Sequence, residues 1–175
     1  MTITGNTFDE QGKAAFGEGS YEKASQLFQQ AADAYQNENN PLLAAESLNN
    51  LSVALVKADR AEEALEAVDG TQILFEEAGD MKRYAMALGN KAAALEVLGK
   101  TDEAIELYQM AVKIFHELGE DDLKTFALQA ISEINLRKGK ITNTALNAVD
   151  ALISNPNPTL KQKILKFFFR RFAKL

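Results

Sequence analysis

TDEAIELYQMA, residues Thr101–Ala111, decides the fold. The same pattern stands forty residues earlier as AEEALEAVDGT, Ala61–Thr71, and forty before that as YEKASQLFQQA, Tyr21–Ala31. A weaker copy, ITNTALNAVDA, begins at Ile141. From the first of these stretches onward, Ala104, Leu107, Tyr108, Ala111 and Phe115 recur three and four residues apart. That spacing places them on one face of an α-helix, and strand-like alternation is missing.

The register extends outward over the whole unit. Phe8, Leu48, Leu88 and Leu128 share one position, and Gly12, Ser52, Ala92 and Ser132 share another that stays small. On the far side of each unit, Phe28, Val68, Tyr108 and Ala148 correspond, as do Tyr35, Phe75, Phe115 and Asn155. Gly19, Asp59, Gly99 and Gly139 fall between the two halves, where a glycine supplies the positive φ that ends one helix before the next begins. Between units, Asn40-Pro41 offers an N-cap and a first-turn proline, and Gly79-Asp80 and Gly119-Glu120 stop one helix and favour the next. Each unit is therefore expected to be a helical hairpin. Small residues let its two helices approach, and its outer apolar face needs the next hairpin to cover it, which makes the array a solenoid.

These residues resemble the tetratricopeptide repeat, most closely in the first unit, where Gly12, Gly19, Tyr21, Ala24, Phe28 and Ala31 fall at the family's signature spacing. The usual period is about 34 residues, so forty is similar to the longer repeats of kinesin light chains and LGN-type spindle adaptors, as SLNNLSVALVKADRAEEAL from Ser47 also is. The resemblance covers roughly residues 6–155 and implies an all-α, right-handed α-solenoid. Four hairpins are expected over residues 1–157, at about 6–39, 40–79, 80–119 and 120–157, followed by a basic amphipathic C-terminal helix at 158–175. The fourth unit departs from the pattern at Thr144 and Ala148.

Composition bounds the function. The chain has 175 residues, 46% hydrophobic and 25% charged, which are globular values and enough for a core without staples. With no cysteine, disulfides, thiolate metal sites and cysteine nucleophiles are excluded. The N-terminal MTITGNTFDE lacks the basic and apolar segments of a secretory signal, and no run approaches a membrane-spanning length, so a cytoplasmic location, free or peripheral to a membrane, is expected. The net charge of −6 is uneven. Six of the 19 basic residues and no acidic ones lie beyond residue 157, which leaves residues 1–157 near −12 and the tail at +6. Nucleic acid is not an expected partner of such a body.

Catalytic groups are thin. The one histidine, His116, has no serine or carboxylate beside it at triad or metal spacing. Gly99-Lys100-Thr101 imitates the end of a phosphate loop but finds Ala94 where a glycine is needed, and Gly17 with Gly19 is half of a dinucleotide fingerprint placed after a helix. Glu62-Glu63 and Asp121-Asp122 suit helix starts, where carboxylates meet the dipole favourably. No enzyme, cofactor or metal is expected.

The resemblance implies that each hairpin's first helix lines a concave groove that binds a peptide or protein segment. Its positions here are Lys13; Glu46, Asn49, Asn50 and Val53; Met86, Asn90 and Ala93; Phe126, Gln129 and Glu133. Asn50 and Asn90 repeat one position, and an amide there can bond a peptide backbone or, structurally, the adjacent hairpin. The family's clamp for a C-terminal carboxylate is matched only at Asn50, so a segment with apolar and basic side chains suits this acidic, amide-bearing groove better.

The tail KFFFRRFAKL, Lys166–Leu175, belongs to a stripe of Leu160, Ile164, Leu165, Phe168, Phe172 and Leu175 opposed by Lys163, Lys166, Arg170 and Lys174. It can cap the array; Phe167 and Phe169 exceed that role. With Arg171, these residues also suit an anionic membrane surface or a groove, its own or that of a second copy, which would make a homodimer.

Overall fold

A computed structural model describes residues 4–154, with side chains to residue 139. Eight helices follow in order: α1 Gly5–Gly17, α2 Tyr21–Asn37, α3 Pro41–Lys57, α4 Ala61–Val68, α5 Thr71–Glu77, α6 Met81–Val97, α7 Thr101–Leu118 and α8 Asp121–Ser154. No strand occurs among the described residues, and the architecture is the all-α solenoid expected. The chain divides into compact units at residues 131 and 132, and the hairpins belong to the first.

One turn recurs every twenty residues. The amides of Ser20, Asn40, Arg60, Asp80, Lys100 and Glu120 each donate to the carbonyl five residues back, at 2.8–2.9 Å. This closes the C-terminus of the preceding helix, and it requires a left-handed residue just before the donor. Gly19, Gly79, Gly99 and Gly119 supply it without strain, and Asn39 and Asp59, at φ 55° and 64°, supply it elsewhere. Asn40 and Asp80 then accept from the amides of Leu43 and Arg83 at 3.2 and 3.0 Å, which caps α3 and α6.

Within the first hairpin, α1 meets α2 where it lacks side chains. A Cβ at Gly12 would stand 2.7 Å from the Phe28 ring, and one at Gly5 would stand 2.6 Å from Tyr35. Phe28 in turn joins Ala15, Ala24, Leu51, Ala54, Leu55, Ala64 and Ala94, a buried cluster that ties three successive units together. Polar pairs span the joints between units: Arg60 to Glu22 at 2.8 Å, Arg83 to Glu46 at 3.1 Å, and Lys82 to Glu120 at 2.7 Å.

Two departures from strict repetition stand out. In the second unit the return helix breaks at Asp69-Gly70, with Gly70 at φ 80°, into α4 and α5. The Thr71 hydroxyl lies 2.8 Å from the Val68 carbonyl and 3.1 Å from Asn49 Oδ1, so the break is hydrogen-bonded from inside. In place of the fourth hairpin expected over 120–157, α8 runs unbroken through Gly139, which has no positive φ. A single glycine inside a helix costs only about 1 kcal/mol relative to alanine. Folding back must bury more than that, and the sequence offers Ala148 and Asn155 where the other return helices place Phe28, Val68 or Tyr108 and Tyr35, Phe75 or Phe115. The expected helix at 158–175 lies outside the described residues.

The glycines can be told apart by mutation. Gly12→Ala should lower stability by about 1–3 kcal/mol, because the methyl group displaces a seated ring. Gly89→Ala, in α6 with nothing within 4 Å of its Cβ, should raise it by about 0.5–1 kcal/mol. Urea denaturation midpoints check both, and equal gains would mean that Phe28 does not rest on Gly12.

Candidate functional site

The first helix of each hairpin is apolar on more than one side. In α3, Leu51, Ala54 and Leu55 are buried in the core, while Asn50 and Val53, rotated from them, remain half-buried. The same rotation in α6 leaves Met86, Gly89, Asn90 and Ala93 facing away from Leu88, Ala92 and Leu95. A fixed side of successive helices therefore stays open.

Two cavities lie on that side and share Val53. One, of about 290 Å³, is lined by Lys13, Phe16 and Gly17 of α1, Phe28 of α2, and Asn50 and Val53 of α3. The other, of about 240 Å³, is lined by Val53, Val56 and Lys57 of α3, by Met86, Gly89, Asn90 and Ala93 of α6, and by Leu123, Phe126 and Ala127 of α8 above Tyr108 and Phe115. Its walls are mostly apolar, and Phe126, 69% exposed, stands at the edge.

The structure thus brings together Lys13, Asn50, Val53, Met86, Asn90, Ala93 and Phe126 of the positions expected from the sequence. Asn49 is not among them: it is buried at 7% exposure and is committed to Thr71 at the helix break. Glu46 is paired with Arg83, Gln129 is exposed outside both cavities, and Glu133 lies in the second unit. The tail positions Lys163, Lys166, Phe167, Phe168, Phe169, Arg170, Arg171 and Phe172 lie outside the described residues. Sequence reasoning missed Lys57, although continuing the Asn50 and Val53 register by one turn reaches it.

The electrostatics also differ from the acidic groove expected. No carboxylate lines either cavity. Asp9, 6% exposed, is held by Lys13 at 2.8 Å and by the Ser47 hydroxyl at 3.3 Å. The hydrogen bond that Lys13 donates to Asp9 raises the Lys13 pKa above its ordinary value, against an opposing effect of partial burial. Lys13 therefore stays a cation, and Lys57 adds a second one at the rim.

Asn50 and Asn90 are the site's distinctive groups. Each is half-buried beside apolar walls, and neither side-chain amide makes a hydrogen bond among the described residues. A half-buried amide with both donor and acceptor unused is poised for a backbone segment, whose own groups come in the same pairs. Among the described residues no group of three or more histidines or acids could hold a metal ion, and no helix is long and apolar enough to cross a membrane.

A family model for soluble NSF attachment proteins matches residues 13–170. A gamma-soluble NSF attachment protein of Arabidopsis thaliana is 28% identical over 125 residues, which are 71% of this chain and 43% of that protein. The chain thus spans less than half the length of that relative. A crystal structure of a TPR-like protein from Chlorobium tepidum TLS superimposes with a TM-score of 0.64 over 76% of this chain and 95% of that one, at 19% identity, which shows the shared fold.

Proposed function

The chain belongs to the soluble NSF attachment protein family, and from that premise we propose that it works as a non-enzymatic adaptor that takes a partner's segment along α1, α3, α6 and the start of α8. The observation that carries this reading is the pair of unengaged amides, Asn50 and Asn90, set forty residues apart at one register position between apolar cavities. A segment laid there gains backbone hydrogen bonds at the amides, and its apolar side chains fill the two cavities. Lys13 is paired with Asp9, so Lys57 is the rim cation without an ion pair among the described residues, and it favours a segment that is neutral or acidic there. The family name describes attachment to NSF, so NSF is the first partner to try.

A segment held at both amides should lose about 1 kcal/mol per bond removed, or roughly 30-fold for one bond at each amide. Asn50→Ala with Asn90→Ala is thus expected to weaken capture of NSF about 30-fold in a quantitative pull-down, with the thermal midpoint unchanged. Undiminished capture would sink the groove reading; no capture by the unaltered chain would contradict NSF as the partner.

The tail extends the proposal to a surface. Six cations and four phenylalanines beyond residue 157 suit an anionic bilayer interface, each cation near the surface contributing about 1 kcal/mol. Flotation with phosphatidylserine vesicles should carry the full chain and leave a chain ending at Asn157 behind; equal flotation of the two would remove the tail from the account.

A further inference from the structure

A separate cleft of about 620 Å³ lies among α2, α3 and α4 and shares no lining residue with the two groove cavities. Its floor is α3, where Leu48, Leu51 and Leu55 succeed one another three and four residues apart. One wall is α2, which presents the amides of Gln26, Gln29 and Gln30. The other is α4, which presents Glu63, Glu66 and, at its C-cap, Asp69, a row spaced three residues apart along one helix face.

The cations near this cleft are already engaged. Arg60 closes one end by donating to Glu22 at the start of α2, at 2.8 Å, and to Glu63 in α4, at 2.7 Å. The bond from Arg60 holds the Glu63 carboxyl below the usual carboxylate range, so Glu63 stays ionised. At the other end Lys91, which does not line the cleft, pairs with Asp69 at 2.7 Å. Between them Glu66 is exposed and makes no ion pair among the described residues. The result is an apolar leucine floor under a rim of amides and carboxylates. That is the reverse of the groove, whose rim carries lysines and no acid.

We propose that this cleft is a second docking site, which takes a basic amphipathic helix from a protein partner. Aliphatic side chains of that helix rest on the leucine floor, chiefly on half-buried Leu48, and its lysines or arginines meet Glu66, the carboxylate of the row that makes no ion pair among the described residues. Charge complementarity selects this occupant: residues 1–157 sit near −12, which draws a cationic segment in, and the cleft has no unengaged cation to repel it. The inference does not depend on the groove. With both sites filled, the chain would hold two segments of opposite rim preference at once.

Fluorescence anisotropy with the full chain and a labelled 18-residue leucine–lysine amphipathic helix tests the proposal. Glu66→Lys should weaken binding at least fivefold. Glu62→Lys, which makes the same charge change in the first turn of α4 but outside the cleft, should weaken it less than twofold. Gln30→Arg, an exposed position on the opposite wall, should behave like Glu66→Lys and keeps the test open if that variant misfolds. Asn50→Ala with Asn90→Ala should leave binding unchanged, which separates this site from the groove. The proposal is overturned if Glu62→Lys is as damaging as Glu66→Lys, if a leucine–glutamate helix binds equally well, or if the groove variant weakens binding. Concentration-dependent self-association in sedimentation velocity, abolished by Glu66→Lys, would also overturn it by assigning the cleft to a second copy of the chain.

Discussion

An aromatic ring seated where the facing helix has no side chain is the contact on which the rest depends. Phe28 lies on Gly12 so closely that a single methyl group would have to displace it. The close approach fixes the angle and rotation of α1 against α2, and rotation decides which residues of the first helix go to the core and which are left over. In α3 the difference between Asn49, buried against Thr71, and Asn50, half-open in the groove, is one residue, or 100° of turn. The open side of α3 and α6 is therefore a by-product of packing, and the side chains placed on it are released from structural duty.

Where that contact weakens, the repeat changes. The second unit seats Val68 where the first seats Phe28, and its return helix breaks at Gly70 two residues later, with Thr71 bonding back to hold the joint. The fourth unit offers no large residue at all, only Ala148, and α8 continues through Gly139 where its counterparts Gly19 and Gly99 turn. Glycine permits a turn and does not compel one. What makes the chain turn at Gly19 and Gly99 is the apolar surface that the returning helix can bury.

This logic explains what could be read from the sequence. The forty-residue period, the hairpins and the turn positions follow from spacing and from glycines whose neighbours agree with them, and the likeness to tetratricopeptide repeats located the fold. It did not locate the family, since the forty-residue period pointed to kinesin light chains and LGN-type adaptors, whereas the family model that matches is that of the attachment proteins. Gly139 looked like Gly19 because the missing ring sits nine residues away. In the groove, Asn50, Asn90, Met86 and Val53 were legible from register, but the groove's charge was not: Asp9 and Glu46 count as acids in a sequence, and both are neutralised by Lys13 and Arg83. Arg83 comes from a different unit, which a reading one repeat at a time does not reveal. The cleft of α2, α3 and α4 was hidden for the same reason, since its three sides come from two units.

The account's central claim is that packing leaves the Asn50 and Asn90 amides unengaged while it consumes Asn49. Side-chain amide exchange with water, followed by NMR on isotope-labelled full chain at mildly acidic pH, tests this without any partner. The account predicts that the Asn50 and Asn90 amide protons exchange about as fast as those of an exposed asparagine. Strong protection of these protons would contradict it, because those amides would then be holding adjacent hairpins together and not waiting for a ligand.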